Sequence, residues 1–185
     1  MNTPISQPVT FLVWTENSPG VLLRLTTLFT RRKLNVESLT VSATETAGIS
    51  RFTVVIQTDP VKAATIGRQI ERMIEVRRVF VFAEPDIIHR EVALVRAKIS
   101  DEREVTLHAT FADIKTLQRS PNGTLLQCTG TESDISALLS FLAQDEVTEF
   151  VRSGRIAVSS SFDYAHDLSR SLHELRPEAN EGPDF

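Results

Sequence analysis

One cysteine, Cys128, is present among 185 residues. That scarcity excludes an intramolecular disulfide framework and a Cys-rich zinc site. Basic residues are not in excess: 20 Lys and Arg stand against 24 Asp and Glu, for a net charge of −4 and a sequence pI of about 5.6. Such a balance argues against a broad cationic surface for nucleic acid, although local basic clusters are compatible with it. No apolar run approaches the ~20 residues that cross a bilayer. Residues 1–8 are short of both the charged and the apolar regions of a signal peptide, so the expectation is a cytoplasmic chain that engages neither nucleic acid nor membrane. The familiar catalytic patterns are missing too: there is no HExxH, no G-x-S-x-G, no P-loop and no GxGxxG. The four histidines, His89, His108, His166 and His173, show no paired metal-ligand spacing. Cys128, in an apolar strand-like run, reads as a small packed residue. Asp101-Glu102 beside Arg103 reads as a solvated surface rather than an acid–base pair. No catalytic residue and no metal ligand is expected.

What is present has globular proportions, 41% hydrophobic and 24% charged. A mass of 20.6 kDa allows one ordinary domain or two small ones. A domain of roughly 75–90 residues buries a smaller share of its surface and often gains stability from a partner.

Periodicity favours two domains. Val9, Phe11 and Val13 share one strand face, while Leu12 and Trp14 make the other face apolar as well; a partner or the second domain is expected to cover them. Ser18 and Pro19 read as a helix cap and first helical residue. Val21, Leu25, Leu28 and Phe29 then form a helical stripe, closed by Arg31-Arg32-Lys33 at the negative end of the helix dipole. Strands follow at residues 36–43 and 52–57. Asp59-Pro60 opens a second helix with Ala63, Ile66, Ile70, Met73 and Ile74 on one face. A strand at 79–82 completes the order β-α-β-β-α-β. The same order recurs: strand 92–99, helix 101–111, a hairpin turning at Asn122-Gly123, a capping box at Thr131 and Asp134, a helix with Ile135, Leu138, Leu139 and Leu142, and closing strands at 147–151 and 156–158. The expected fold is α+β, two ferredoxin-like βαββαβ domains in tandem, at residues 8–84 and 90–159 with a joint near 84–89. Residues 160–185 form a polar tail, with Ala165, Leu168, Leu172 and Leu175 spaced for a short helix before disorder.

One segment has site-like chemistry, the first strand-to-helix turn. Helix N-termini offer free N–H groups and positive partial charge, a receptor for carboxylate. Gly20 permits close approach of a ligand or second chain, Asn17 adds an amide, and Asn35 could bring a carbonyl toward an ammonium group. The alternative is that Gly20 merely allows a tight turn and both asparagines cap local backbone.

The wording Asn17-Ser18-Pro19-Gly20-Val21-Leu22, then Arg24, Leu28-Phe29, Arg31-Arg32 and Asn35-Val36-Glu37-Ser38-Leu39-Thr40-Val41, closely resembles the ACT domain of acetolactate synthase small regulatory subunits. Ser50-Arg51-Phe52-Thr53, His89-Arg90-Glu91-Val92 and Val151-Arg152-Ser153-Gly154-Arg155-Ile156 extend the resemblance over about residues 8–160. It implies a non-catalytic chain that pairs through its ACT domains as a homodimer. Such a chain activates the catalytic large subunit and confers feedback inhibition by a branched-chain amino acid, with valine favoured. Thiamine diphosphate, magnesium and FAD are implied in the large subunit and no cofactor in this chain. The resemblance places the effector carboxylate at Asn17, Gly20 and Val21. Asn35 and Val36 of the neighbouring chain would meet its ammonium group and side chain. Ser18 and Val36 depart from the family's common acidic residue and isoleucine. The competing readings are a stand-alone amino-acid sensor acting on another enzyme and a small ferredoxin-like enzyme.

Overall fold

The computed structural model describes residues 6–144 and 146–161. Among them are nine strands and four helices, which separate into two compact units. The expected helix at 165–175, with His166 and His173, lies outside the described residues.

The first unit runs β1 (Gln7–Glu16), α1 (Val21–Arg31), β2 (Val36–Ala43), β3 (Ile49–Thr58), α2 (Pro60–Glu71) and β4 (Val76–Ala83). Its antiparallel sheet has the order β2-β3-β1-β4. Alternation along β1 and β3 sends Val9, Phe11, Val13, Phe52, Val54 and Ile56 toward the helices. There they meet Val21, Leu25 and Phe29 of α1 and Ala63, Ile66 and Ile70 of α2. Phe11 and Phe29 pack edge-on, with ring centroids 6.0 Å apart. Gly67 lets α2 lie directly on β4: a methyl group there would sit 2.7 Å from Val81 Cγ2.

The opposite face of this sheet is buried as well. Leu12, Trp14 and Ile49 cluster with Ile87 and Ala157, flanked by Phe80 and Phe82. Trp14 meets Phe80 edge-on at 5.9 Å. The Arg51 guanidinium lies 4.7 Å over the Trp14 ring and donates to the Ala157 carbonyl. Leu12 and Trp14 are thus covered by the chain's own later residues, Ile87 and Ala157; of the two covers expected, a partner or the chain's own C-terminal part, the structure shows the second. Residues 157–161 group with the first unit for this reason.

The second unit, His89–Ile156, repeats the order. It contains most of β5 (Ile87–Ala97), then α3 (Asp101–Thr110), β6 (Ile114–Ser120), β7 (Gly123–Gly130), α4 (Glu132–Phe141) and β8 (Val147–Arg152). The sheet order is β6-β7-β5-β8, and β9 (Ile156–Ser159) pairs with β5. β5 alternates buried and exposed residues without a break. Its Ala93, Val95 and Ala97 pack with Leu126, Cys128, Leu107, Ile135 and Leu138. Burial pushes the Cys128 thiol pKa up, aided by Asp134 and Asp113. This is the environment of a packed thiol rather than a reactive one.

Two local expectations are corrected. Ile74 does not join the α2 stripe: the helix ends at Glu71, a turn through Met73 follows, and Ile74 is 87% exposed. Ser18 does not cap α1, which begins two residues later than its Ser-Pro signal implies.

Candidate functional site

Three of the four helices are closed at their N-termini by side chains. Asp59 Oδ1 accepts from the Lys62 N–H at 2.9 Å, and Ser100 Oγ accepts from the Arg103 N–H at 3.3 Å. At α4 Thr131 Oγ1 accepts from the Asp134 N–H, and Asp134 Oδ2 accepts from the Thr131 N–H at 2.7 Å. These bonds hold the Asp59 and Asp134 carboxyls below their ordinary pKa, through the Lys62 amide for the first and the Thr131 hydroxyl for the second.

α1 is different. Its N-cap is Gly20 in the left-handed region at φ 87°, with no side-chain cap and no acidic residue in the first turn. Backbone bonds fix the approach: the Asn17 N–H donates to the Gly48 carbonyl at 2.7 Å and the Ser18 N–H to the Glu16 carbonyl at 3.0 Å. Ser18 and Pro19 are thereby held in the turn, and the helix starts where the glycine reverses the chain. The first α1 bond on this turn runs from the Arg24 N–H to the Gly20 carbonyl at 3.0 Å. Among the described residues, then, no side chain caps the positive pole of α1. Apart from Gly20 and its two chain neighbours, no atom of the described residues lies within 4 Å of where a Gly20 Cβ would stand. Asn17 and Gly20 are exposed, while Val21 points into the core at 2% exposure.

A buried carboxylate that the sequence does not single out serves the same corner. The Glu75 carbonyl accepts from the Glu16 N–H at 2.8 Å, and its carboxylate pairs with Arg24 on the first turn of α1. Glu75 has no motif around it; only the strand pairing brings it to the turn.

The five expected effector residues fall into two groups. Asn17, Gly20 and Val21 share the turn. Asn35 is exposed just before β2, and Val36 is half-buried at its start. Val36 pairs with Ile56, which pairs with Val9, whereas Glu16 pairs with Ile49. The two groups are separated by the span from Val9 to Glu16, ~24 Å at about 3.4 Å per residue. Within one chain they are at opposite ends of the sheet and cannot touch one ligand.

Among the described residues no group of three His, Cys, Asp or Glu could hold a metal ion, and no helix is long and apolar enough to cross a membrane. His108 is instead part of a structural cluster in the second unit. Arg119 Nε and Nη2 donate to the buried Glu104 carboxylate at 2.8–3.2 Å, Thr116 donates to it as well, and His108 Nε2 sits 3.0 Å from Thr116 Oγ1. Arg119 holds the Glu104 carboxyl below the usual carboxylate range against the opposing effect of burial.

Two split-βαβ units in tandem, the first opening its leading helix on a bare glycine turn, define an ACT-type domain followed by a second ferredoxin-like domain. Residues 11–78 match the family described as "AHAS small subunit-like ACT domain", and residues 90–161 match "Small subunit of acetolactate synthase". The chain belongs to the family of acetolactate synthase small subunits. It is 32% identical over 151 residues to a probable acetolactate synthase small subunit of Archaeoglobus fulgidus, covering 80% of this chain and 94% of that one. It is 32% identical over 152 residues to the acetolactate synthase small subunit of Mycolicibacterium smegmatis, covering 81% and 89%. The crystal structure of the acetolactate synthase small subunit from Thermotoga maritima superposes with a TM-score of 0.76 at 28% identity, over 84% of this chain and 98% of that chain.

Proposed function

We propose that this chain is a non-catalytic cytoplasmic subunit. It binds the acetolactate synthase large subunit, raises its activity and transmits feedback inhibition by a branched-chain amino acid, valine first. Thiamine diphosphate, magnesium and FAD belong to the large subunit in this reading. The observation that carries it is the α1 turn, an unfilled positive helix pole beside a glycine with open space around it. The effector carboxylate takes the free N–H groups at Val21 and the following residues, with the Asn17 amide beside it. A helix terminus contributes roughly 0.3–1 kcal/mol to such an anion when exposed and up to ~2 when partly buried. Its ammonium group and side chain need partners that the same chain holds ~24 Å away. A two-fold axis between two copies brings the Asn35–Val36 end of one chain to the Gly20 end of the other, and the homodimer then carries two equivalent sites.

Inhibition follows from linkage. An effector that prefers one arrangement of the complex by roughly 1–3 kcal/mol changes the coupled equilibrium about 5–150-fold. The test is calorimetric titration of the full chain with valine, leucine and isoleucine, beside Gly20→Asp. The carboxylate of that variant would occupy the space meant for the ligand. Valine is expected to bind the natural chain and not the variant; equal binding by both would refute the site. Co-purification with the large subunit tests the partner, and pyruvate turnover by this chain alone would refute the non-catalytic reading.

A further inference from the structure

The outer side of α1 does not look like an ordinary solvent face. An amphipathic helix turns its apolar stripe to the core and polar residues to water. Here Leu22 and Leu23, both outside the Val21-Leu25-Phe29 stripe, are 46% and 69% exposed. Leu23 borders a groove of about 510 Å³ between α1 and α2, whose apolar wall continues through Leu28 and Met73. Arg24, Arg31 and Arg32 line the same groove, and no carboxylate does. The chain as a whole is acidic, yet residues 21–33 hold four cations, Arg24, Arg31, Arg32 and Lys33, and no acid. The helix dipole accounts for a cation in the last turn, Arg31. It does not account for an exposed leucine or for Arg24 one turn from the positive end. Arg24 is matched by Glu75, whereas Arg31 and Arg32 form no ion pair among the described residues.

We infer that this groove is where the catalytic large subunit docks an acidic amphipathic segment, its carboxylates on Arg31 and Arg32 and an aliphatic side chain against Leu23 and Met73. The inference rests on the regulatory reading above and names the surface that serves it. α1 then links the two sites physically: its N-terminal end receives the effector and its outer side carries the partner. A ligand that repositions this one helix acts on both.

The experiment measures binding of the purified acetolactate synthase large subunit to the full chain by interferometry, at low and high KCl. It compares the natural chain, the Arg31→Glu/Arg32→Glu pair and Leu23→Ser, each checked for its thermal melt. Leu23 is outside the core, so its variant remains informative if the charge-reversed pair does not fold. The expected result is a loss of about tenfold or more in affinity for the pair, with a flattened salt dependence, and of about fivefold for Leu23→Ser. If the natural chain binds and both variants bind within about twofold of it, the groove is not the docking surface and the regulatory reading survives. If the natural chain does not bind the large subunit at all, both fail. If the variants lose self-association but keep the large subunit, the groove is a contact between copies and the inference is overturned.

Discussion

Two glycines of the first unit illustrate how differently one residue type can be constrained. Gly67 is there because α2 presses on β4, and its missing side chain is the contact. Gly67→Ala is expected to cost about 1–3 kcal/mol by overpacking against Val81, seen as a lower thermal midpoint. Gly20 has room on every side but a backbone that L-residues avoid, so Gly20→Ala costs about 1–2 kcal/mol from conformation alone and leaves the turn open. Valine should still bind that variant, in contrast to Gly20→Asp, and calorimetry separates the two. In the second unit Glu104 sets a pH dependence. Arg119 lowers its folded pKa, so its stabilisation is complete at neutral pH and is lost as pH falls through and below the ordinary carboxylate range of about 4.3. Glu104→Gln is expected to melt earlier than the natural protein at pH 7 and to converge with it in acid. A gap that persists unchanged at low pH would contradict this assignment. Nothing in the sequence pairs Glu104 with Arg119; their meeting depends on α3 lying over β6.

Elements were legible where a local rule decides them. Asp59-Pro60 and Thr131-Asp134 mark the starts of α2 and α4 because the capping side chain and the amide it bonds are three residues apart. Thr131→Ala should therefore destabilise the second unit by about 1 kcal/mol, measured by its denaturant midpoint. α1 carries a comparable cap-then-proline signal, Ser18-Pro19, and does not obey it, because the Asn17 bond to Gly48, thirty-one residues away, holds the turn and moves the helix start to Gly20. The stripes of Val21, Leu25 and Phe29 and of Ala63, Ile66 and Ile70 follow from a 3.6-residue period, and the strands from a period of two. Ile74 fits the helical period and escapes it only because the helix has already ended. The cover over Trp14 comes from Ala157, a contact between distant segments that no local pattern encodes. The proposed effector turn is visible in the sequence as residue types. That Asn35 and Val36 stand at the far end of the same sheet emerges only from the strand register.

At the scale of the molecule, that register carries the account. The two halves of the proposed effector site lie at opposite ends of the first sheet, so in this proposal one chain alone cannot close on an amino acid. In the proposed homodimer a two-fold axis makes two sites, each built from the Gly20 turn of one protomer and the Asn35–Val36 corner of the other. This arrangement admits a complementation test. Gly20→Asp damages the turn, and Asn35→Lys, at an exposed position, sets a cation against the effector ammonium. Homodimers of either variant contain only damaged sites. A mixed dimer contains one site with both lesions and one with neither. Calorimetric titration of valine into the purified mixed dimer should give one site per dimer at the natural affinity, against two for the natural protein and none for either variant alone. A mixed dimer that binds no valine, or an Asn35→Lys homodimer that binds it as the natural chain does, would contradict a site shared between two chains.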